Sequence, residues 1–142
     1  MDYRLGEHLT LQRVRLESDQ VAPGGSLTVV PIWTSDGGVD RSYKVYCHVL
    51  SHEGELVAQP DGLPLNGLRP TPTWRAGELI EDSYEIFVGP EVPVGEYELS
   101  IGMYDPETMT RLPVYDANGY RVSQDRIVVG DLWIGSPGGG HD

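Results

Sequence analysis

Six side chains in this sequence carry groups suited to holding a polar, hydroxyl-rich ligand: Tyr46, His48, Asp61, Trp74, Arg75 and Tyr84. Tyr46 and His48 are two apart, so an extended strand puts both on one face. Asp61 opens a long segment crowded with Pro and Gly, and Trp74 and Arg75 stand where that segment returns to strand. Tyr84 falls on the strand expected next. Sugars present flat apolar C–H faces that stack on aromatic rings, and their hydroxyls seek carboxylates, guanidinium groups and imidazoles. These residues are therefore the expected ligand-binding set, lining a shallow groove. Trp74 has a second reading, as a large ring that plugs the end of the fold and pins the long loop.

Catalytic patterns are missing. A glycosidase needs two carboxylates at a set separation. With 22 acidic residues some pair always looks suitable, and Asp61 could approach Asp82 if the long loop folds back. The plainer reading has Asp61 capping a turn, with Glu78 and Glu81 solvated. No GxSxG, HExxH, GxGxxG or GxxxxGK[ST] pattern occurs, so nucleophilic, zinc-protease and nucleotide chemistry lack support. His48 and His52 are four apart, a spacing that unites two ligands on a helix but not on a strand and turn. Calcium held by Asp61, Asp82 and loop carbonyls is conceivable, but the DxDxDG pattern is absent. No catalytic residue, metal or cofactor is expected.

The chain has 142 residues, enough for one sizeable core, and a formal net charge of −12. An acidic surface repels phosphate backbones and anionic lipid, so neither nucleic acid nor direct membrane insertion is expected. No apolar run reaches the roughly 20 residues of a membrane span. No basic start followed by an apolar stretch is visible either, so any export signal is expected outside this sequence. Cys47 is the only cysteine, which excludes an internal disulfide. It shares the phase of Tyr43, Val45 and Val49, which predicts a buried thiol.

The elements that must position these groups read as strands. Short alternating runs are separated by turn residues, with 18 Gly and 11 Pro spread throughout, and no convincing helix appears. Leu9 and Leu11 share one phase and Val14 and Leu16 the other, which predicts a bulge near Gln12 and Arg13. Leu27, Val29, Pro31 and Trp33 alternate. Pro31 cannot donate to a ladder, so an edge strand or a local bulge is expected there. Tyr43–Leu50 reads as a central strand with Leu56–Gln59 as its hairpin partner. Further strands are expected over Leu79–Val88, Tyr97–Met103, Arg111–Val114 and Ile127–Val129. Tyr97, after Pro93-Val94-Gly95, suits a corner tyrosine whose hydroxyl ties a crossover. The prediction is all-β: an antiparallel two-sheet β-sandwich, immunoglobulin-like or jelly-roll, of eight or nine short strands. It spans residues 1–134 as one domain, with a flexible Gly-rich tail over 135–142.

Val45-Tyr46-Cys47-His48-Val49-Leu50, Leu56-Val57-Ala58-Gln59-Pro60-Asp61-Gly62, Trp74-Arg75-Ala76-Gly77-Glu78, Pro93-Val94-Gly95-Glu96-Tyr97 and Ile101-Gly102-Met103-Tyr104-Asp105 follow one another in this order. Over roughly residues 9–130 the sequence thereby resembles the C-terminal accessory domain of bacterial membrane glycosyltransferases similar to protein O-mannosyltransferases. The resemblance implies an extracytoplasmic β-sandwich without catalytic residues, attached through a parent chain to the membrane part that performs the transfer. A role in binding carbohydrate or glycan-lipid follows from that setting. The alternative is a structural or protein-interaction module, which predicts an exposed apolar patch or open strand edge near the long loop.

Overall fold

A computed structural model describes residues 2–135. Along the chain the strands are β1 (Tyr3–Leu5), β2 (Leu9–Leu16), β3 (Gln20–Val21), β4 (Ser26–Ser35), β5 (Lys44–Ser51), β6 (Leu56–Ala58), β7 (Asp61–Gly62), β8 (Ile80–Glu81), β9 (Tyr84–Phe87), β10 (Gly95–Asp105), β11 (Thr110–Arg111), β12 (Val114–Tyr115) and β13 (Ile127–Ile134). They form two sheets. The first runs β12-β1-β2-β4, with β8 and β9 both on the far side of β4. The second runs β3-β13-β10-β5-β6, with β11 on β10 and β7 on β5. All pairings are antiparallel except β3 with β13.

The fold is the expected sandwich, cut more finely. The run over 79–88 breaks into β8 and β9 around Asp82 and Ser83. The run over 111–114 breaks at Leu112-Pro113, and its halves join opposite sheets: β11 pairs with β10 and β12 with β1.

The break at Asp82 corrects the expectation for Pro31. β4 is a central strand, not an edge, with β2 on one side and β8 and β9 on the other. Neither neighbour needs the missing N–H, because the ladder to β9 ends at Val29 and that to β8 begins at Ile32. The Pro31 carbonyl still accepts from the Asp82 N–H at 3.1 Å. The bulge in β2 lies where the phase change puts it, between Leu11 and Arg13.

Period-two alternation builds one core between the sheets. Val45, Cys47 and Val49 of β5 and Tyr97, Leu99, Ile101 and Met103 of β10 meet Leu9, Leu11, Leu27, Val29, Trp33 and Ile86 of the other sheet. Cys47 is fully buried, and burial pushes its thiol pKa up, so it is a packing residue. The Tyr97 hydroxyl donates to the Pro93 carbonyl at 2.7 Å, the corner tie expected of it. At the far end of β13, the Gly135 N–H donates to the Val21 carbonyl at 2.8 Å, so the chain is still bonded where the tail was expected to start. The rest of that expected tail, 136–142, lies outside the described residues.

The long segment over 63–79 is not a strand but a packed wrap. Two short 3-10 turns, Pro64–Gly67 and Thr71–Thr73, shape it. Thr71 is fully buried; its hydroxyl donates to the Arg41 carbonyl and accepts the Tyr43 N–H. Asp82, also buried, accepts the Leu65 N–H at 2.9 Å and the Ser83 N–H at 3.1 Å. Leu65 and Asn66 lie in left-handed backbone (φ 53° and 55°), which Asp82 helps to hold.

Candidate functional site

The candidate site sits on the outer face of the second sheet, and strand register assembles it. Val45, Cys47 and Val49 of β5 point into the core, so Tyr46 and His48 point out. Tyr46 is paired with Asp61 of β7 on one side and Gly102 of β10 on the other. Tyr104, two residues beyond Gly102, is paired with Arg111 of β11. Directly paired residues share a face, so Tyr46, His48, Asp61, Tyr104 and Arg111 converge. With Gln59 and Met109 they line a cavity of about 300 Å³.

The groups hold one another. The Tyr46 and His48 rings stand 4.5 Å apart, tilted by 45°, and Tyr46 and Tyr104 are 6.4 Å apart between centroids. The Tyr46 hydroxyl donates to the Asp125 carbonyl at 3.1 Å. The Arg111 guanidinium carbon sits 4.7 Å over the Tyr46 ring centre, and its Nη1 donates to the Gln124 carbonyl at 2.9 Å. The Tyr104 hydroxyl donates to Asp61 Oδ2.

The electrostatics follow from burial and neighbours. Burial pushes the Tyr46 pKa up to about 12, against the pull of Arg111 and Arg126. Tyr104 also rises to about 12, through burial and the adjacent Asp61 carboxylate. His48 falls below the ordinary histidine value. Burial is the main cause, the Arg111 and Arg126 charges add to it, and Asp61 opposes it. His48 is therefore a neutral imidazole at pH 7, offering one donor and one acceptor.

Three of the six expected ligand residues meet in this cavity: Tyr46, His48 and Asp61. The other three are elsewhere. Trp74 is only 3% exposed, packed into the core, and its Nε1 donates to the Arg69 carbonyl at 2.8 Å. It is the loop anchor, not a stacking platform. Tyr84 sits in the first sheet and turns into the core, because its strand buries Tyr84 and Ile86 on the same side. Arg75 is exposed beside Trp74, where its N–H donates to Glu78 Oε1 at 3.1 Å. Asp61 and Asp82 face different ways, Asp61 toward Tyr104 and Asp82 under the loop, so they form no carboxylate pair at the cavity.

No protein-family model and no curated protein matches this sequence. Solved structures do match the fold. The C-terminal domain of wzt aligns over 95% of this chain and 74% of its own, with a TM-score of 0.56 at 10% identity. A Niemann-Pick type C2 protein from the Japanese carpenter ant aligns over 92% of this chain and 93% of its own, with a TM-score of 0.53 at 12% identity. The shared architecture is that of immunoglobulin-like β-sandwich domains. At these identities the likeness concerns the fold alone.

Sequence reasoning missed Tyr104, Arg111, Gln59 and Met109 as site residues. The clue for Tyr104 was present: the alternation that turns Tyr97, Leu99, Ile101 and Met103 inward turns Tyr104 outward, toward the face of Tyr46. Arg111 had no such clue, because only the β10–β11 hairpin pairs it with Tyr104. On the same sheet, His52, Glu96 and Asp131 bring ligand atoms within 4.8 Å of one another, an arrangement able to chelate a divalent cation. Such groups are common on a surface this acidic. Among the described residues, no helix is long and apolar enough to cross a membrane.

Proposed function

We propose that this chain is a non-catalytic accessory β-sandwich domain that binds carbohydrate in the Tyr46–Tyr104 cavity. The observation that carries this reading is a concave site joining aromatic rings to a mixed set of donors and acceptors. His48 and Tyr104 supply the ring surfaces and Tyr46, only 3% exposed and covered by Arg111, forms the floor beneath them, while Asp61, Arg111 and Gln59 supply groups for hydroxyls. The cavity lining contains a single carboxylate, Asp61, whereas glycoside hydrolysis uses two; this supports binding without turnover. The sequence resemblance supplies the setting. The domain would stand on the outer side of a bacterial membrane, beside a glycosyltransferase on the same parent chain, and the glycan or its lipid-linked form would be that enzyme's substrate or product.

A glycan array probed with the wild-type domain tests this, followed by calorimetric titration of Tyr104→Ala and Asp61→Ala. Binding by wild type and at least a tenfold loss in both variants, with melting temperatures kept, is expected. A wild-type domain silent across the array, or variants that bind unchanged, would overturn it.

A protein-interaction role has an observation of its own. Leu68 and Leu79 are 81% and 57% exposed. They flank in sequence the Arg69–Glu78 ion pair on the long loop. Apolar side chains beside a structured loop suit a partner protein or the parent's membrane part. Cross-linking of the full-length parent through cysteines placed at 68 and 79 tests this reading, and an absence of cross-links from both would remove it.

A further inference from the structure

We propose that the ligand of the Tyr46–Tyr104 cavity is an acidic sugar, with Arg111 taking its carboxylate and Asp61 a ring hydroxyl. This rests on the carbohydrate reading above and narrows it.

Arg111 shares with Arg4, Arg13 and Arg75 the lack of an ion pair among the described residues, and of these four it is the one that lines the Tyr46–Tyr104 cavity. The chain carries a net charge of −12, and most of its arginines sit against carboxylates: Arg15 with Glu81, Arg41 with Asp105 and Glu107, Arg69 with Glu78, Arg121 with Asp125, and Arg126 with Glu98. Arg111 lines a cavity and, among the described residues, forms no ion pair. Asp125, which feels its charge, is bonded to Arg121 through both oxygens. Asp61 lines the same cavity and spends one oxygen on Tyr104. Arg111 therefore brings to the cavity a positive charge that no carboxylate among the described residues meets at ion-pair distance, and an anionic ligand group would supply that partner.

The geometry selects the anion. Arg111 is fixed at two points, stacked on Tyr46 and bonded through Nη1 to the Gln124 carbonyl. Its other N–H donors have no described partner. A planar, pre-oriented guanidinium matches the two oxygens of a carboxylate. A phosphate dianion fits less well. Only one cation faces it, Asp61 lines the same cavity, and His48 is uncharged at pH 7, so no second positive charge is supplied. A wholly neutral sugar offers Arg111 hydroxyl acceptors but no opposite charge, and neutral acceptors bind a guanidinium less strongly than a carboxylate does. Gln59 and neutral His48 add donors and acceptors for hydroxyls, and Met109 offers apolar contact at the rim. The ligand that satisfies every wall presents a carboxylate at one end and hydroxyls at the other.

The test is calorimetric titration of the wild-type domain with three short oligosaccharides. The first contains glucuronic acid, the second is its carboxyl-reduced glucose counterpart, and the third is the glucose counterpart carrying a phosphate. Binding of the acid about tenfold or more tighter than the reduced sugar is expected, with the gap closing in Arg111→Gln. Arg111→Lys keeps the charge but loses the planar fork, so intermediate affinity is expected and serves if the glutamine variant does not fold. Equal affinity for acid and reduced sugar in wild type would overturn this inference and leave the carbohydrate reading standing. Preference for the phosphorylated sugar would overturn the carboxylate assignment. No binding by any of the three, with a silent glycan array, would remove both readings together.

Discussion

The phenol end of Tyr46 lies over Gly102, its register partner on the neighbouring strand, in space that any side chain at 102 would fill. This glycine is a packing requirement rather than a turn device. It lets the Tyr46 ring lean across the sheet, where its hydroxyl reaches the Asp125 carbonyl and its face carries Arg111. Only then does the ring become a wall of the cavity.

Replacing Gly102 by Ala forces a methyl group into the Tyr46 phenol. Displacement of the ring is expected, with a loss of about 1–3 kcal/mol of stability. Ligand affinity should fall with it, since Arg111 loses its platform. Urea denaturation, together with the solved structure of Gly102→Ala, checks this. Unchanged stability with Tyr46 still in place would contradict it.

Trp74 anchors the loop over 63–79 through burial and through its bond to the Arg69 carbonyl. Trp74→Ala should cost about 3–5 kcal/mol, in line with truncation of a buried large aromatic. Trp74→Phe keeps most of the packing and loses the hydrogen bond, so a smaller cost is expected. Neither ring touches the cavity, so Trp74→Phe should bind ligand as wild type does. A folded Trp74→Phe with tenfold weaker binding would contradict that separation.

Asp82 is buried and, despite bonds from the Leu65 and Ser83 N–H groups, its pKa is raised, with burial as the main cause. A carboxyl whose pKa is higher in the folded chain than in the unfolded one binds more protons when folded. Its contribution to stability is therefore complete at low pH and declines as pH rises above about 4, the unfolded value. Asp82→Asn keeps the acceptor for Leu65 and removes the charge. At pH 7 it is expected to match or exceed wild type in stability, and its advantage should shrink toward pH 4. Thermal melts across that range decide it, and an asparagine variant clearly less stable at pH 7 would refute the sign.

Glu78 behaves oppositely. The bonds from Arg69, with help from the Arg75 N–H, hold its carboxyl down to about 2. Its contribution is present above the ordinary carboxylate range and is lost as pH falls from about 4 toward 2. Proteolysis of the loop is expected to quicken in that acid window in wild type but not in Glu78→Gln, which should already be cut faster at pH 7. Limited digestion with pepsin at low pH and with trypsin at pH 7 measures this. Equal cutting of the two proteins at pH 7 would show that the ion pair does not hold the loop.

Period-two burial explains what was legible in the sequence. Val45, Cys47 and Val49, or Leu99, Ile101 and Met103, can be apolar at every second position only if one face meets a core. Such runs announce a sandwich and send Tyr46 and His48 outward. The phase slip between Leu11 and Val14 announced the bulge for the same reason. Short-range rules of this kind act within one strand and need no partner.

Tertiary structure decided what depends on which strand lies beside which. Pro31 reads as an edge residue by itself, but a break in its neighbour makes a central place tolerable. Trp74 and Tyr84 have the chemistry of ligand-binding rings, yet each turned inward, because filling space between two sheets removes more apolar surface from water than a shallow groove would. Arg111 has no feature within its own segment that marks it. Pairing with Tyr104 brings it over Tyr46, and the bareness of Gly102 lets it rest there. Residue chemistry and alternation thus determined the kinds of groups and the side of the sheet they face, whereas register between strands far apart in sequence determined which of them meet.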